Sequence, residues 1–310
     1  MVPEMMKRGY SKQMTVGPIL GAGALAMVIP PSALAVLLGS LAEVSIGKLL
    51  IAALIPGLLL LFLFLLYTIG RCWLNPELAP RYNVDSVSLN QKIIYTIRDL
   101  LPMMGIILFA LGLIFFGLAT PTEAAALGAL GVFFLAAIYR RLTWQCIKKS
   151  IAGSLKVTVM IFTIIAGSTA FSQLLAFSGV SRGMIKTILS IDASAFAILL
   201  IMLGIVIILG FFMEQVSIMM ITIPMFMPIV NGLALDPIWF AVLILIALEI
   251  GQLTPPVGLG LFVMKGVVPD NVTMGDIYIS AIPFVLCNIV VLAILITLPG
   301  IVTWLPNLVR

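Results

Sequence analysis

The sequence predicts an all-α polytopic membrane protein whose helices are broken at two proline pairs, and three observations carry that prediction. Of the 310 residues, 62% are apolar and only 9% are charged. The apolar residues gather into long stretches separated by short polar connections. At two places a tandem proline, Pro30-Pro31 and Pro255-Pro256, interrupts the apolar sequence. A soluble domain runs near half apolar and about a quarter charged. A mean hydropathy of +1.26 instead suits a bilayer, where about 20 apolar residues span the hydrocarbon, leaving room for roughly ten segments.

The same composition excludes several functions. There is no histidine, which removes most zinc sites, haem ligation and histidine acid–base chemistry. Cys72, Cys146 and Cys287 are isolated and read as small apolar filler rather than a disulfide framework or metal cluster. Paired catalytic carboxylates are missing too, so an intramembrane enzyme is not expected. A net charge of +5 points to cytoplasmic loops of a membrane protein rather than to nucleic acid.

In chain order, the apolar stretches fall at 13–29, 33–42, 46–70, 102–118, 122–139, 157–177, 193–212, 216–230, 237–252, 257–268 and 278–299. Met1 to Tyr10 is polar and basic, without a cleavable signal pattern. The pieces at 33–42, 216–230 and 257–268 are too short to span alone, and their Pro and Gly flanks suggest broken or re-entrant helices. Residues 71–99 hold Arg71, Arg81, Lys92 and Arg98 and read as a loop or surface helix; 139–156 reads as a second basic loop. Thr120-Pro121-Thr122-Glu123 opens a helix, with a threonine cap, proline in the first turn and glutamate near the positive end.

Two parts of the chain resemble each other. Pro3 lies 27 residues before Pro30, and Pro228 lies 27 before Pro255. Ile46-Gly47 through Pro56 echoes Met274-Gly275 through Pro283, so the offset is 225 at the first landmark and 227 at the last. The later copy also carries a unit at about 193–228, interrupted at Gly210 to Ser217, that the earlier copy lacks. If 193–212 and 216–230 are the arms of one re-entrant hairpin, residues 1–14, 71–99, 139–156 and 265–276 share the cytoplasmic side with 13 of the 17 basic residues. That follows the positive-inside tendency and makes the copies inverted, an arrangement used by secondary transporters. The expected organisation is a partial first repeat (1–70), a cytoplasmic loop or surface helix (71–100), scaffold helices (101–177), a second repeat (178–300) and a C-terminal tail (301–310).

The proline breaks are the leading candidates for chemistry. Each proline removes an N–H and obstructs the preceding turn, so a tandem pair frees carbonyls. Inside a bilayer these are tolerated only in a protein interior or a polar cavity. Freed carbonyls with the Ser32 or Thr254 hydroxyl make a hard-oxygen cluster of the kind sodium takes. Glu214 and Ser217 sit in the hairpin interruption, and an intramembrane glutamate usually faces a cavity or an ion. Glu249 is expected to pair with a neighbouring helix.

The ordered set Pro3-Glu4-Met5, Lys7-Arg8-Gly9-Tyr10, Ile29-Pro30-Pro31-Ser32, Pro121-Thr122-Glu123-Ala124-Ala125 and Thr254-Pro255-Pro256-Val257-Gly258 resembles the large permease subunit of TRAP transporters, the DctM type. The resemblance implies a sodium-driven uptake system of elevator type in a bacterial or archaeal inner membrane, with Na+ as coupling ion and no other cofactor. It implies two partners, a small membrane subunit (DctQ type) and an extracytoplasmic substrate-binding protein (DctP type). The substrate would be a small carboxylate, such as a C4-dicarboxylate. Carried over by motif, one sodium or substrate site would involve Gly210, Glu214 and Ser217 with Gly251, Thr254, Pro255, Pro256 and Gly258. The other would use Pro30, Pro31 and Ser32. The family pattern has an upstream scaffold and first hairpin before the segment matching Met1, so this chain is expected to be roughly the last three quarters of such a permease. The other readings are a single-component sodium-coupled anion symporter and a truncated, non-transporting remnant.

Overall fold

Most of the described helices start at a residue whose side chain satisfies one of the first free backbone N–H groups. The structure, a computed structural model, describes residues 1–80, 88–179, 183 and 194–308. The described residues form helices α1 (Val2–Lys7), α2 (Lys12–Leu25), α3 (Ala33–Leu41), α4 (Ile46–Leu74), α5 (Leu89–Tyr95), α6 (Leu101–Phe115), α7 (Pro121–Ile138) and α8 (Trp144–Phe177). They continue as α9 (Ala195–Gly210), α10 (Gln215–Gly232), α11 (Pro237–Leu253), α12 (Leu259–Lys265), α13 (Met274–Thr297) and α14 (Gly300–Leu308). Ser11, Ser32, Ser45, Ser194 and Glu214 cap α2, α3, α4, α9 and α10. Thr120–Glu123 and Thr273–Asp276 form full capping boxes for α7 and α13, and Asp236 accepts from the first two free N–H groups of α11.

Among the described residues, six segments are long and apolar enough to cross a membrane: Ile46–Leu74, Leu89–Phe115, Pro121–Ile138, Trp144–Phe171, Gln215–Gly232 and Met274–Thr297. No strand occurs among the described residues. The chain is an all-α polytopic membrane protein. One succession occurs twice: a helix, a break at a Pro-Pro pair, a short helix and a long one, as α2–α3–α4 and again as α11–α12–α13.

Three local expectations differ from the structure. The basic stretch 139–156 is not a loop beyond residue 143, because α8 runs unbroken for 34 residues from Trp144. Lysine is a good helix former, and Thr143 Oγ1 accepts from Cys146 N at 3.2 Å to start the helix. At 1.5 Å per residue α8 is about 50 Å long, so Lys148, Lys149 and Lys156 occupy turns ahead of the apolar stretch. The second hairpin arm, expected at 216–230 and too short to span alone, is an 18-residue helix long and apolar enough to cross a membrane. The C-terminal residues 300–308 form a further helix, whose Val302 and Pro306 are buried, packed against α4. Arg81 and, near the start of the expected second repeat, residues 180–182 and 184–193 lie outside the described residues.

The chain divides into two compact units, Met1–Arg81 with Gly167–Leu308, and Tyr82–Ala166. In the second, α6 packs on α7 and apolar side chains such as Leu108, Phe134 and Phe162 are exposed, as suits lipid contact. The first unit is built round α11, which is buried continuously from Trp239 to Gly251. A helix apolar on all sides belongs in a core. Helices α2, α4, α9, α10 and α13 pack against it. The closest seam joins α2 to α13, where a methyl at Gly17 would lie 2.8 Å from the Phe284 ring and one at Gly21 would overlap it. Phe64 and Tyr67 meet the same ring edge-on at 5.0 and 5.5 Å, and Lys12 Nζ pairs with Asp276 Oδ2 at 2.8 Å.

Candidate functional site

The site is assembled where the interruption of the α9–α10 hairpin meets the second proline break. Helix α9 ends at Gly210, four residues connect it to Gln215, and α9 and α10 pack together as a hairpin. The hairpin is seated on α11 through two glycines. A methyl at Gly210 would lie 2.7 Å from Gly251 Cα, and one at Gly251 the same distance from Gly210 Cα. Gly210 and Gly251 are therefore contact points between backbones.

That contact brings the hairpin tip to the break. Gly258 N donates to Phe211 O at 2.9 Å. Gly258 has φ of +39°, a left-handed conformation that disfavours side chains. A methyl there would also lie 2.8 Å from both Gln252 O and Thr254 O. The two carbonyls thus converge on one point, which only a residue without Cβ leaves clear. Thr254 Oγ1 donates to Ile250 O at 2.6 Å, so its lone pairs remain available. Pro255 and Pro256 end α11, and the Tyr278 hydroxyl donates to Pro256 O at 2.7 Å, using one of the carbonyls expected to be free. The carbonyls that converge at this break are Gln252 O and Thr254 O.

Glu214 is the N-cap of α10 and accepts from Ser217 N at 3.3 Å. Its carboxylate thus neutralises the positive end of α10, and Ser217 takes part through its backbone N–H. Gln215 Nε2 donates to Gln252 Oε1, a second tie between hairpin tip and break. Sequence reasoning missed Gln215, Gln252 and Tyr278, since nothing in their local pattern marks them. Beside these ties lies a cavity of about 510 Å³, within the usual range for small-molecule sites. Glu214, Gln215 and Gln252 supply its polar lining and Ile19, Leu20, Val263 and Met264 much of its apolar lining. Glu214 is the one charged side chain among the described residues that line it.

The first break is built differently. Ser32 Oγ donates to Met27 O at 2.5 Å and accepts from Ala35 N at 3.1 Å. The hydroxyl caps α3 and occupies the carbonyl that the break would free. Pro30 and Ser32 are buried and Pro31 is exposed. Among the described residues, no hydrogen bond joins Pro30, Pro31 or Ser32 to the cluster at Thr254. The structure therefore groups Gly210, Glu214, Ser217, Gly251, Thr254, Pro255, Pro256 and Gly258, while the first break reaches this neighbourhood through α3, which Ser32 caps and which packs against α10 and α11.

Residues 1–301 match the family model described as the DctM component of the tripartite ATP-independent periplasmic transporter. A C4-dicarboxylate TRAP transporter large permease protein of Pseudomonas aeruginosa is 33% identical over 306 residues, covering 98% of this chain and 70% of that protein. An isethionate TRAP transporter permease protein, DctMQ, of Oleidesulfovibrio alaskensis is 29% identical, covering 97% of this chain and 46% of that protein. A sialic acid TRAP transporter permease protein of Haemophilus influenzae is 26% identical, covering 99% of this chain and 49% of that protein. The family is one of transport permeases, not of enzymes. The chain belongs to the DctM family, the large permease component of TRAP transporters.

Proposed function

We propose that this chain serves a sodium-coupled tripartite transporter that imports small organic acids across the inner membrane of a bacterium or archaeon by an elevator movement. Its partners are a small membrane subunit and an extracytoplasmic substrate-binding protein. The observation that carries the reading is the seating of the hairpin tip on the second break, beside a cavity of about 510 Å³.

The chemistry follows from the oxygens brought together there. Carbonyls of Gln252 and Thr254 with Thr254 Oγ1 form a neutral, hard-oxygen donor set, which fits sodium, the transported coupling ion. The same residues bear the hairpin: Gly258 holds Phe211, and Gln252 holds Gln215. Sodium at the carbonyls therefore favours a tip held down over the cavity, and its departure loosens the tip. Substrate anions meet the carboxamides of Gln215 and Gln252 rather than a fixed basic side chain, and the printed names of the relatives, for a dicarboxylate, a sulfonate and a sugar acid, fit an anion site of that kind.

The test is uptake of labelled organic acids into proteoliposomes holding this permease with its small subunit, in the presence of the binding protein. Uptake is expected to require an inward sodium gradient. Thr254→Ala and Glu214→Ala are expected to weaken the sodium dependence at least tenfold in apparent affinity, equivalent to about 1.4 kcal/mol. Uptake that ignores sodium in the unmodified protein would remove the coupling, and unchanged sodium dependence in both variants would remove the site.

A further inference from the structure

Away from the cavity, α11 carries a carboxylic acid in the middle of the core. Glu249 on α11 and Asn288 on α13 are both 0% exposed. Asn288 Nδ2 donates to Glu249 Oε1 at 3.3 Å and to Phe284 O at 3.1 Å. A backbone carbonyl only accepts, so the bond to Phe284 fixes which end of the Asn288 amide is the nitrogen. Both amide hydrogens are then used. Glu249 Oε2 and Asn288 Oδ1 are left buried with no partner.

Two unpartnered oxygens in one buried pair need one donor. An ionised carboxylate offers none, and neither does an amide oxygen. A buried polar oxygen without a partner costs about 1–3 kcal/mol, and more when charged. A positive partner would answer this, but no ion pair reaches Glu249 among the described residues. The elements packed on α11 supply few titratable groups. Helices α3, α9, α10 and α14 contain none. On α2 there is Lys12, bonded to Asp276 of α13. On α12 there is Lys265, which donates to Val272 O. Lys48, Tyr67, Arg71 and Cys72 lie on α4, and Tyr278 and Cys287 complete α13; none is hydrogen-bonded to the pair.

We propose that Glu249 and Asn288 form a buried proton-binding site, in which Glu249 carries a proton on Oε2 and donates it to Asn288 Oδ1. One hydrogen satisfies both orphan oxygens and leaves the pair uncharged. A bridging water needs space and two to four polar partners, and a metal ion needs more oxygens still; a proton needs neither. The bond locks α11 to α13 one and a half turns before the break. Helix α11 thus enters the membrane core neutral. The inference uses neither the sodium reading nor the cavity.

Infrared spectroscopy of the purified full chain at neutral pH tests it. The carbonyl stretch of a protonated carboxylic acid, which lies apart from the carboxylate and amide bands, is expected in the unmodified protein and lost in Glu249→Gln. Because a glutamine amide reproduces the shape and donor of the neutral acid, Glu249→Gln is expected to keep the unfolding midpoint within a few degrees. In Asn288→Ala the acid band is expected to persist and move to higher wavenumber as its hydrogen bonds are lost. A carboxylate band in place of the acid band, or an unfolding midpoint that depends on sodium and loses that dependence in Glu249→Gln, would overturn the proposal. Should Glu249→Gln not fold, the acid band of the unmodified chain and its shift in Asn288→Ala still decide. A failure of sodium-coupled uptake leaves these readings untouched.

Discussion

Replacing Gly251 by alanine tests how the hairpin is seated. The added methyl would lie 2.7 Å from Gly210 Cα, 3.0 Å from Ile207 O and 3.2 Å from Gly210 C. These atoms are all backbone, so no rotamer change relieves the contact. Restoring an ordinary carbon–carbon separation of about 3.5–4.0 Å requires α9 and α11 to part by about 1 Å. Overpacking of this kind typically costs about 1–3 kcal/mol. The same movement lengthens the 2.9 Å bond from Gly258 N to Phe211 O towards about 3.9 Å, beyond hydrogen-bonding range, for a further loss of about 1 kcal/mol. Thermal unfolding in detergent is the assay, and a midpoint several degrees lower is the expected result. Gly204→Ala is the control: it lies on the same α9, has nothing within 4 Å of the new methyl, and should gain about 1 kcal/mol of helix propensity. In uptake assays Gly251→Ala should also weaken apparent sodium affinity, because the tip lifts from the carbonyls. If Gly251→Ala melts at the unmodified temperature while Gly204→Ala behaves as stated, the backbone contact does not exist as described.

Further expectations follow from other seams of the first unit. Phe284, 1% exposed and ringed by Gly17, Gly21, Phe64 and Tyr67, should cost about 3–5 kcal/mol when cut to alanine, seen as a large fall in unfolding midpoint; a small fall would mean that α2 closes onto α13. Asp276→Ala removes the capping box of α13 and the partner of Lys12, so a loss of about 1 kcal/mol is expected from the cap alone, insensitive to salt in that part. Gln252→Leu leaves Gln215 without its side-chain partner and should raise the concentration of organic acid needed for half-maximal uptake; unchanged uptake kinetics would remove both amides from the substrate path.

Some features of the site are local and can be read along the chain. The tandem prolines break helices wherever they stand, because the missing N–H and the ring act on the preceding turn. Caps act within three residues, so Thr120-Pro121-Thr122-Glu123 announces the start of α7 from its spelling. Glu214 and Ser217 are marked in the same way, although the capping bond between them shows that the glutamate does structural work at the tip. The long α8 is a different case. Its lysines suggest a loop when charge is the signal, yet a helix that projects from the bilayer carries charge without breaking.

The sequence by itself determined the class of the protein: 62% apolar residues, 9% charged and no histidine leave a helical membrane protein without histidine chemistry. It also marked both proline breaks and the hairpin interruption, since each is a disturbance of a few consecutive residues. Only the tertiary structure decided which of these belong together. Gly210 meets Gly251, Phe211 holds Gly258, Gln215 meets Gln252 and Asn288 meets Glu249, all across 37 to 47 residues of chain. It also distinguished the two breaks: Ser32 takes a carbonyl that the first would free, while Gln252 O and Thr254 O converge on one point at the second. The physical reason is that helix breaking and capping are properties of neighbouring residues, whereas a binding site depends on which lone pairs remain unused after packing.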